Sequence, residues 1–167
     1  MTEYLDIVDE HDRVIGRASR DECHNDPSLI HRVAHIMVFD FKGRILLQLR
    51  GRDKRIQPGK WDTSVGGHLA QGETYEQGVR RELEEELGIP SADLAFMYDY
   101  LWRSEVETER VHTYHLVHEG PFYRQAGEIE ALRFFEPEEV ERSLGRGIFT
   151  PNFEEEWARY LEWKRTS

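Results

Sequence analysis

Residues 67–89 read Gly-His-Leu-Ala-Gln-Gly-Glu-Thr-Tyr-Glu-Gln-Gly-Val-Arg-Arg-Glu-Leu-Glu-Glu-Glu-Leu-Gly-Ile. They satisfy G-x5-E-x7-R-E-U-x-E-E-x-G-U, with U apolar, without a gap: Gly67, Glu73, Arg81, Glu82, Leu83, Glu85, Glu86, Gly88 and Ile89. Average residue usage gives a chance match on the order of 10^-8 to 10^-9 per starting position. The stretch also predicts its own local structure. Thr74 and Gln77 have the spacing of a capping box, and Gly88 followed by Pro90 marks a helix end. A helix is therefore expected over 74–87, with Val79, Leu83 and Leu87 forming an apolar stripe against a sheet. Glu82, Glu85 and Glu86 fall at i, i+3 and i+4, within roughly a 100° arc. Like charges so close destabilise an exposed helix by about 0.2–0.5 kcal/mol per pair. A hard divalent cation reverses that sign, because Mg2+ takes carboxylate and phosphate oxygens. The plain alternative is a solvated face braced by Arg80–Glu84 and Arg81–Glu85 pairs; the punctuation at Gly67, Glu73 and Gly88 favours metal binding.

Outside this stretch the chain reads as one unit, 1–167, long enough to bury a core without cross-links. Its 38% hydrophobic and 33% charged residues predict a globular protein, and no apolar run approaches the roughly 18 residues of a membrane span. The acidic start, Met-Thr-Glu-Tyr-Leu-Asp, lacks the layout of a secretory signal. The one cysteine, Cys23, excludes an internal disulfide and suits a reducing compartment, so a cytoplasmic protein is expected. A formal net charge of -11 argues against nucleic acid as a partner. It also means that a phosphorylated small molecule would need cations as intermediaries. The sequence leaves monomer and homodimer open.

Alternating apolar runs predict an N-terminal hairpin over 3–20, strands at 33–39 and 45–49 around a turn, and a short strand at 61–65. Three further strands are expected at 94–102, 111–117 and 131–135. Helices are expected over 137–144 and 151–164, the latter amphipathic through Phe153, Trp157, Tyr160, Leu161 and Trp163. Strands interleaved with helices predict an α/β domain.

The motif at 67–89 is the Nudix box, and the chain resembles the Nudix hydrolases. That resemblance implies a mixed β-sheet sandwiched between α-helices, and cleavage by water of a diphosphate linked to another moiety, with Mg2+ or Mn2+ as cofactor. It casts Glu85 and Glu86 as principal metal ligands and Glu82 as a further ligand or general base. Glu73 and Arg81 would orient loop and helix through an ion pair, and Gly67 would let the backbone approach the ligand.

The likeness extends further. Asp6-Ile-Val-Asp-Glu with Val14-Ile-Gly, His31-Arg32, Leu46-Leu-Gln and Pro58-Gly-Lys-Trp is similar to type I isopentenyl diphosphate isomerase, over about residues 5–120. That enzyme's metal site of three histidines and two glutamates maps onto His24, His31, His68, Glu107 and Glu109. Its diphosphate-binding positions map onto Arg20, Arg50 and Lys54, the last two in a basic loop with Arg52, Arg55 and Lys60. Each of these residues taken singly reads as solvated surface. The isomerase's catalytic cysteine, two residues before the third histidine, is Gly66 here, and glycine has no group to move a proton. Trp61 and Trp102 are expected in core packing rather than base stacking. The leading expectation is a metal-dependent diphosphate hydrolase, with the general base open among Glu82, Glu107 and Glu109. A diphosphate isomerase with altered acid–base groups and a catalytically silent ligand-binding module are the alternatives.

Overall fold

Ile30–Phe39 (Ile-His-Arg-Val-Ala-His-Ile-Met-Val-Phe) is mostly apolar and buried at every position but Arg32, as befits a strand covered on both faces. In the computed structural model, which describes residues 1–167, this segment is the central strand, β3. Before it come β1 (Tyr4–Val8), β2 (Val14–Ser19) and a one-turn helix α1 (Arg20–Cys23). After it come β4 (Ile45–Arg50), β5 (Trp61–Asp62), β6 (Val65–His68), α2 (Tyr75–Leu87), β7 (Ala95–Arg103), β8 (Thr108–Val117), β9 (Ile129–Phe135), α3 (Pro137–Ser143) and α4 (Pro151–Thr166). β8 runs parallel to β3 in unbroken register, from Ile30 beside Thr108 to Phe39 beside Val117. The other edge of β3 is shared in turn by β1, β6 and β4, all antiparallel. β2 extends the sheet beyond β1, β7 beyond β8, and β5 and β9 flank β4.

Alternation along β3 sorts the core into two layers. Ala34, Ile36 and Val38 pack with Val79, Leu83 and Leu87 of α2. Met37 and Phe39 pack on the opposite face with Val140 of α3 and with Phe153, Trp157 and Tyr160 of α4. The result is the expected mixed sheet between helices. Burial of the α2 stripe, about 1.5–3 kcal/mol per large aliphatic side chain, holds a 13-residue helix that would be marginal alone.

Caps and turns follow local chemistry. Thr74 Oγ1 accepts from the Gln77 amide at 3.1 Å, and Gln77 Oε1 accepts from the Thr74 amide at 3.0 Å. The strand expected at 61–65 is split into β5 and β6. At the break the Ser64 hydroxyl accepts from the Val38 amide at 2.9 Å and donates to the Leu46 carbonyl at 2.5 Å, linking β3 to β4. Leu161, expected on the hidden stripe of α4, is 38% exposed, while Glu156 on the same helix is fully buried.

Gly88 ends α2 in the left-handed region (φ 71°), with its amide donating to the Glu84 carbonyl at 2.9 Å. A Cβ there would also meet Tyr123 Cβ at 2.9 Å. Gly88→Ala is expected to destabilise by about 1–2 kcal/mol, lowering Tm by roughly 2–8 °C. A thermal melt that leaves Tm unchanged would contradict this account of the cap.

Candidate active site

A cleft of about 980 Å3 opens where β6, the C-terminal half of α2, the start of β8 and the basic loop meet. β6 pairs with β3 alone, and two adjacent glycines thin it to bare backbone. They face opposite sides of the sheet. A Cβ on Gly67 would run into the Glu82 carboxyl group of α2, and one on Gly66 would lie 3.0 Å from His35 Cδ2 of β3. Helix carboxylates and sheet imidazoles thus approach one another across a strip with no side chains of its own.

On the helix side Arg81 is the hub. Its Nε and Nη2 donate to the two Glu73 carboxylate oxygens at 2.8 and 2.9 Å, the bidentate pair expected from the box. Nη2 also donates to the His68 carbonyl at 3.0 Å, and Nη1 to Glu82 at 2.8 Å and Glu85 at 3.2 Å. The Arg81 guanidinium holds the Glu73 carboxyl below its ordinary range. Glu86 has no such cation. It is 8% exposed and accepts from Gln48 Nε2 at 2.8 Å. Burial, and Glu82 beside it, push its carboxyl well above the ordinary value, only partly offset by Gln48 and the Gly66 amide. All three helix glutamates line the cleft, but they do not converge as one trio, because Arg81 draws Glu82 and Glu85 to itself. The expected Arg80–Glu84 pair is also absent; Arg80 turns to Glu76 at 3.3 Å and to the Ala92 carbonyl.

The sets whose donor atoms do meet, within 4.8 Å of one another, are His24, His31 and His68, and His31, Glu107 and Glu109. Strand register explains this: β8 sets Glu109 beside His31, and β6 sets His68 beside Val33. α1, capped by Ser19 and Glu22, delivers His24. His24 and His68 Nε2 lie 3.1 Å apart, His31 Nε2 is 3.6 Å from Glu109, and His24 Nε2 is 3.8 Å from Glu107. Both ring nitrogens of His31 are buried without a hydrogen-bond partner, an arrangement costing about 1–3 kcal/mol unless a ligand satisfies it. Burial pushes the His68 ring down to about 3 and lowers His24 as well, leaving neutral imidazoles with lone pairs to offer. Burial raises both carboxyls, but His31 at 3.6 Å, with His35 and His68 nearby, brings Glu109 below its ordinary value. Glu107, buried beside ionised Glu109, is held above its own.

Of the residues expected to catalyse, bind substrate or hold metal, all but Glu73 and His31 line the cleft. Arg20 is paired with Glu3 at 3.5 Å, Arg50 with Asp62 at 3.6 Å and Lys54 with Glu128. Arg52, Arg55 and Lys60 do not reach the cleft. Trp102 lines it, and Trp61 packs on the core against Phe135. Cys23 packs with Leu5, Ile7 and Ala18 beneath the hairpin, where burial pushes its thiol up to about 11; it supplies no substitute for a thiol at position 66. His35, which the sequence reading passed over as part of an apolar strand, lines the cleft opposite Gly66.

With this geometry in hand, the family follows. The NUDIX domain model matches residues 29–153. An uncharacterized Nudix hydrolase of Yersinia pestis is 37% identical over 150 residues, spanning 90% of this chain and 81% of its own length. One of Streptomyces coelicolor is 33% identical over 174 residues, spanning 99% and 92%. Escherichia coli YfcD is 34% identical over 151 residues, spanning 90% and 82%. Among solved structures, a Deinococcus radiodurans crystal structure superposes with a TM-score of 0.81 at 23% identity, covering 94% of this chain and 98% of its own. The MutT protein of Methanosarcina mazei gives 0.67 at 20% identity, covering 84% and 96%. The chain belongs to the Nudix hydrolase family. No helix is long and apolar enough to cross a membrane.

Proposed function

We propose that this protein is a divalent-metal-dependent hydrolase that cleaves the diphosphate bond of a nucleoside diphosphate linked to another moiety. The observation that carries this reading is Glu86: a buried carboxylate, with Glu82 against it and no protein cation of its own, at the wall of a cleft. Such a group fits a hard cation with oxygen ligands, Mg2+ or Mn2+, which Glu86 would hold together with Glu82 and Glu85 once these two turn from Arg81. When bound, the cation supplies charge neutralisation of the diphosphate and makes a nearby water more acidic. The chain's own residues do the rest. Arg81 and Glu73 lock the loop onto the helix, Gly67 gives Glu82 room, and Arg20, Arg50 and Lys54 offer donors to the substrate's outer phosphate oxygens. The group that takes a proton from water stays open among Glu82, Glu107 and Glu109.

A second reading has one observation in its favour: His24, His31, His68, Glu107 and Glu109 assemble as the metal set of an isopentenyl diphosphate isomerase-like enzyme would, and His31's unsatisfied nitrogens fit a metal as ligand. Gly66, where that enzyme has its cysteine, counts against isomerase chemistry, so the set is better read as a second metal position of a hydrolase. A screen of nucleoside di- and triphosphates, dinucleotides and nucleotide sugars with Mg2+ or Mn2+ tests both. Turnover of one class is expected, and it should disappear with chelator. Turnover of none, together with isotope exchange between isopentenyl and dimethylallyl diphosphate, would overturn the hydrolase in favour of the isomerase.

A further inference from the structure

Four donors converge on one carboxylate under the floor of the cleft. Glu156, fully buried on α4, accepts from His35 Nδ1 at 2.8 Å, from Tyr100 Oη at 2.9 Å, from the Thr113 hydroxyl at 3.2 Å and from Tyr98 Oη. The register places these groups together: β8 sets Thr113 beside His35, and Tyr98 and Tyr100 follow on β7. An ionised carboxylate only accepts, so His35 Nδ1 carries a proton and its ring is fixed. Nδ1 is thereby committed, and Nε2 is the nitrogen left for the cleft. The His35 side chain is 11% exposed and lines that cleft. Directly across from it Gly66 carries no side chain; a Cβ there would sit 3.3 Å from Nε2. Burial disfavours the imidazolium, but the hydrogen bond and charge of Glu156 outweigh it, so the ring keeps its proton above its ordinary range.

A buried ion pair is often no better for stability than apolar residues of the same volume. Packing alone therefore does not account for a charged pair whose free nitrogen opens into a cleft walled by Glu82, Glu85, Glu86, Glu107 and Glu109. A polyanion entering among those carboxylates needs a positive contact on the sheet side as well. We propose that His35 is an anion-contacting residue of this cleft: held by Glu156, it donates from Nε2 across Gly66 to an oxygen of a bound diphosphate, between the α2 glutamates and the His24–His31–His68 cluster. This rests on the reading above that the cleft receives a diphosphate. Glu156 is the positioning residue.

Methylenediphosphonate, whose P–C–P bridge resists hydrolysis, is the probe, titrated with Mg2+ into the full chain by calorimetry. His35→Gln is expected to weaken binding by about tenfold to a hundredfold, as for loss of a charge-assisted hydrogen bond. Glu156→Gln should weaken it less, with the ring present but no longer fixed. In the unsubstituted protein the His35 Nε2 and attached proton resonances should shift on saturation, a readout that stands even where His35→Gln fails to fold. Unaltered affinity in His35→Gln overturns the proposal. So do His35 resonances that stay put while the Gly66 and Gly67 amides move, or a wild-type protein that does not bind the probe. The two readings separate cleanly. Turnover that depends on Glu86 but not on His35 leaves the hydrolase standing and removes this role; His35-dependent binding with no turnover of any phosphate compound does the reverse.

Discussion

Glu86→Gln is expected to lower kcat/KM by about 10²–10³-fold on whichever compound the wild-type enzyme hydrolyses, while making the metal-free protein more stable at neutral pH. The two effects have one cause. The Glu86 carboxylate is buried beside Glu82, where charge is costly without a cation and useful with one. Losing one anionic metal ligand removes about 3–4 kcal/mol of transition-state stabilisation, at 1.36 kcal/mol per decade of rate. For stability, the folded-state carboxyl sits above its ordinary value of 4.5. Its contribution is therefore fully present below that value and is lost as pH rises through the elevated one. The neutral amide has no such slope and can still accept from Gln48. Urea unfolding of both proteins with chelator, at about pH 5 and about pH 8, should show the variant gaining on the wild type as pH rises. Added Mg2+ should stabilise the wild type preferentially. Full activity in Glu86→Gln, or a metal-free variant that loses stability with rising pH as steeply as the wild type, would remove Glu86 from the metal site.

What was legible in advance is what local chemistry writes along one segment. Caps, apolar stripe and glycine stop define α2 without reference to the rest of the chain, and alternation defines most strands. The one-turn helix α1 went unread: Ser19 and Glu22 have capping-box spacing, but four residues are too few for periodicity to register. Partners across the sheet were not legible either. The i,i+4 spacing gives the Arg81–Glu85 pair but not that the same guanidinium also takes Glu82, and nothing near Ser64 shows that its hydroxyl links β3 to β4. The His and Glu set was reached only through resemblance; its assembly is a matter of register between β3, β6 and β8, which no single segment encodes. His35 and Glu156 lie 121 positions apart, and each alone reads as a polar interruption of an apolar pattern. A buried acid at an inward helix position and a histidine in a covered strand, taken together, are the signal that sequence reading can use, since each needs a partner of opposite charge.

Glu156→Ala is expected to destabilise the fold by about 3–5 kcal/mol, the loss typical when one member of a buried pair is removed. That exceeds the effect at Gly88, because truncation leaves His35 charged without its counterion and strips an acceptor from Tyr98, Tyr100 and Thr113. The pH profile identifies the cause. Although burial alone raises it, the Glu156 carboxyl is drawn below its ordinary 4.5 by the His35 and tyrosine hydrogen bonds, so its contribution is present above 4.5 and lost as pH falls. The His35 ring is held above its ordinary 6.5, so its contribution is present below 6.5 and lost as pH rises. The pair thus stabilises most between those values and fades on both sides. Urea unfolding across that range should show a maximum in the wild type that flattens in Glu156→Ala. A loss under about 1 kcal/mol, with the maximum intact, would assign the pair no structural weight. Replacing both residues, as His35→Leu with Glu156→Leu, should recover the part of the loss due to the unpaired His35 charge, since apolar substitutes for a buried pair are often neutral or better, while Tyr98, Tyr100 and Thr113 stay without their acceptor. Such a protein, folded yet without an imidazole opposite Gly66, separates the pair's contribution to the core from what His35 does in the cleft.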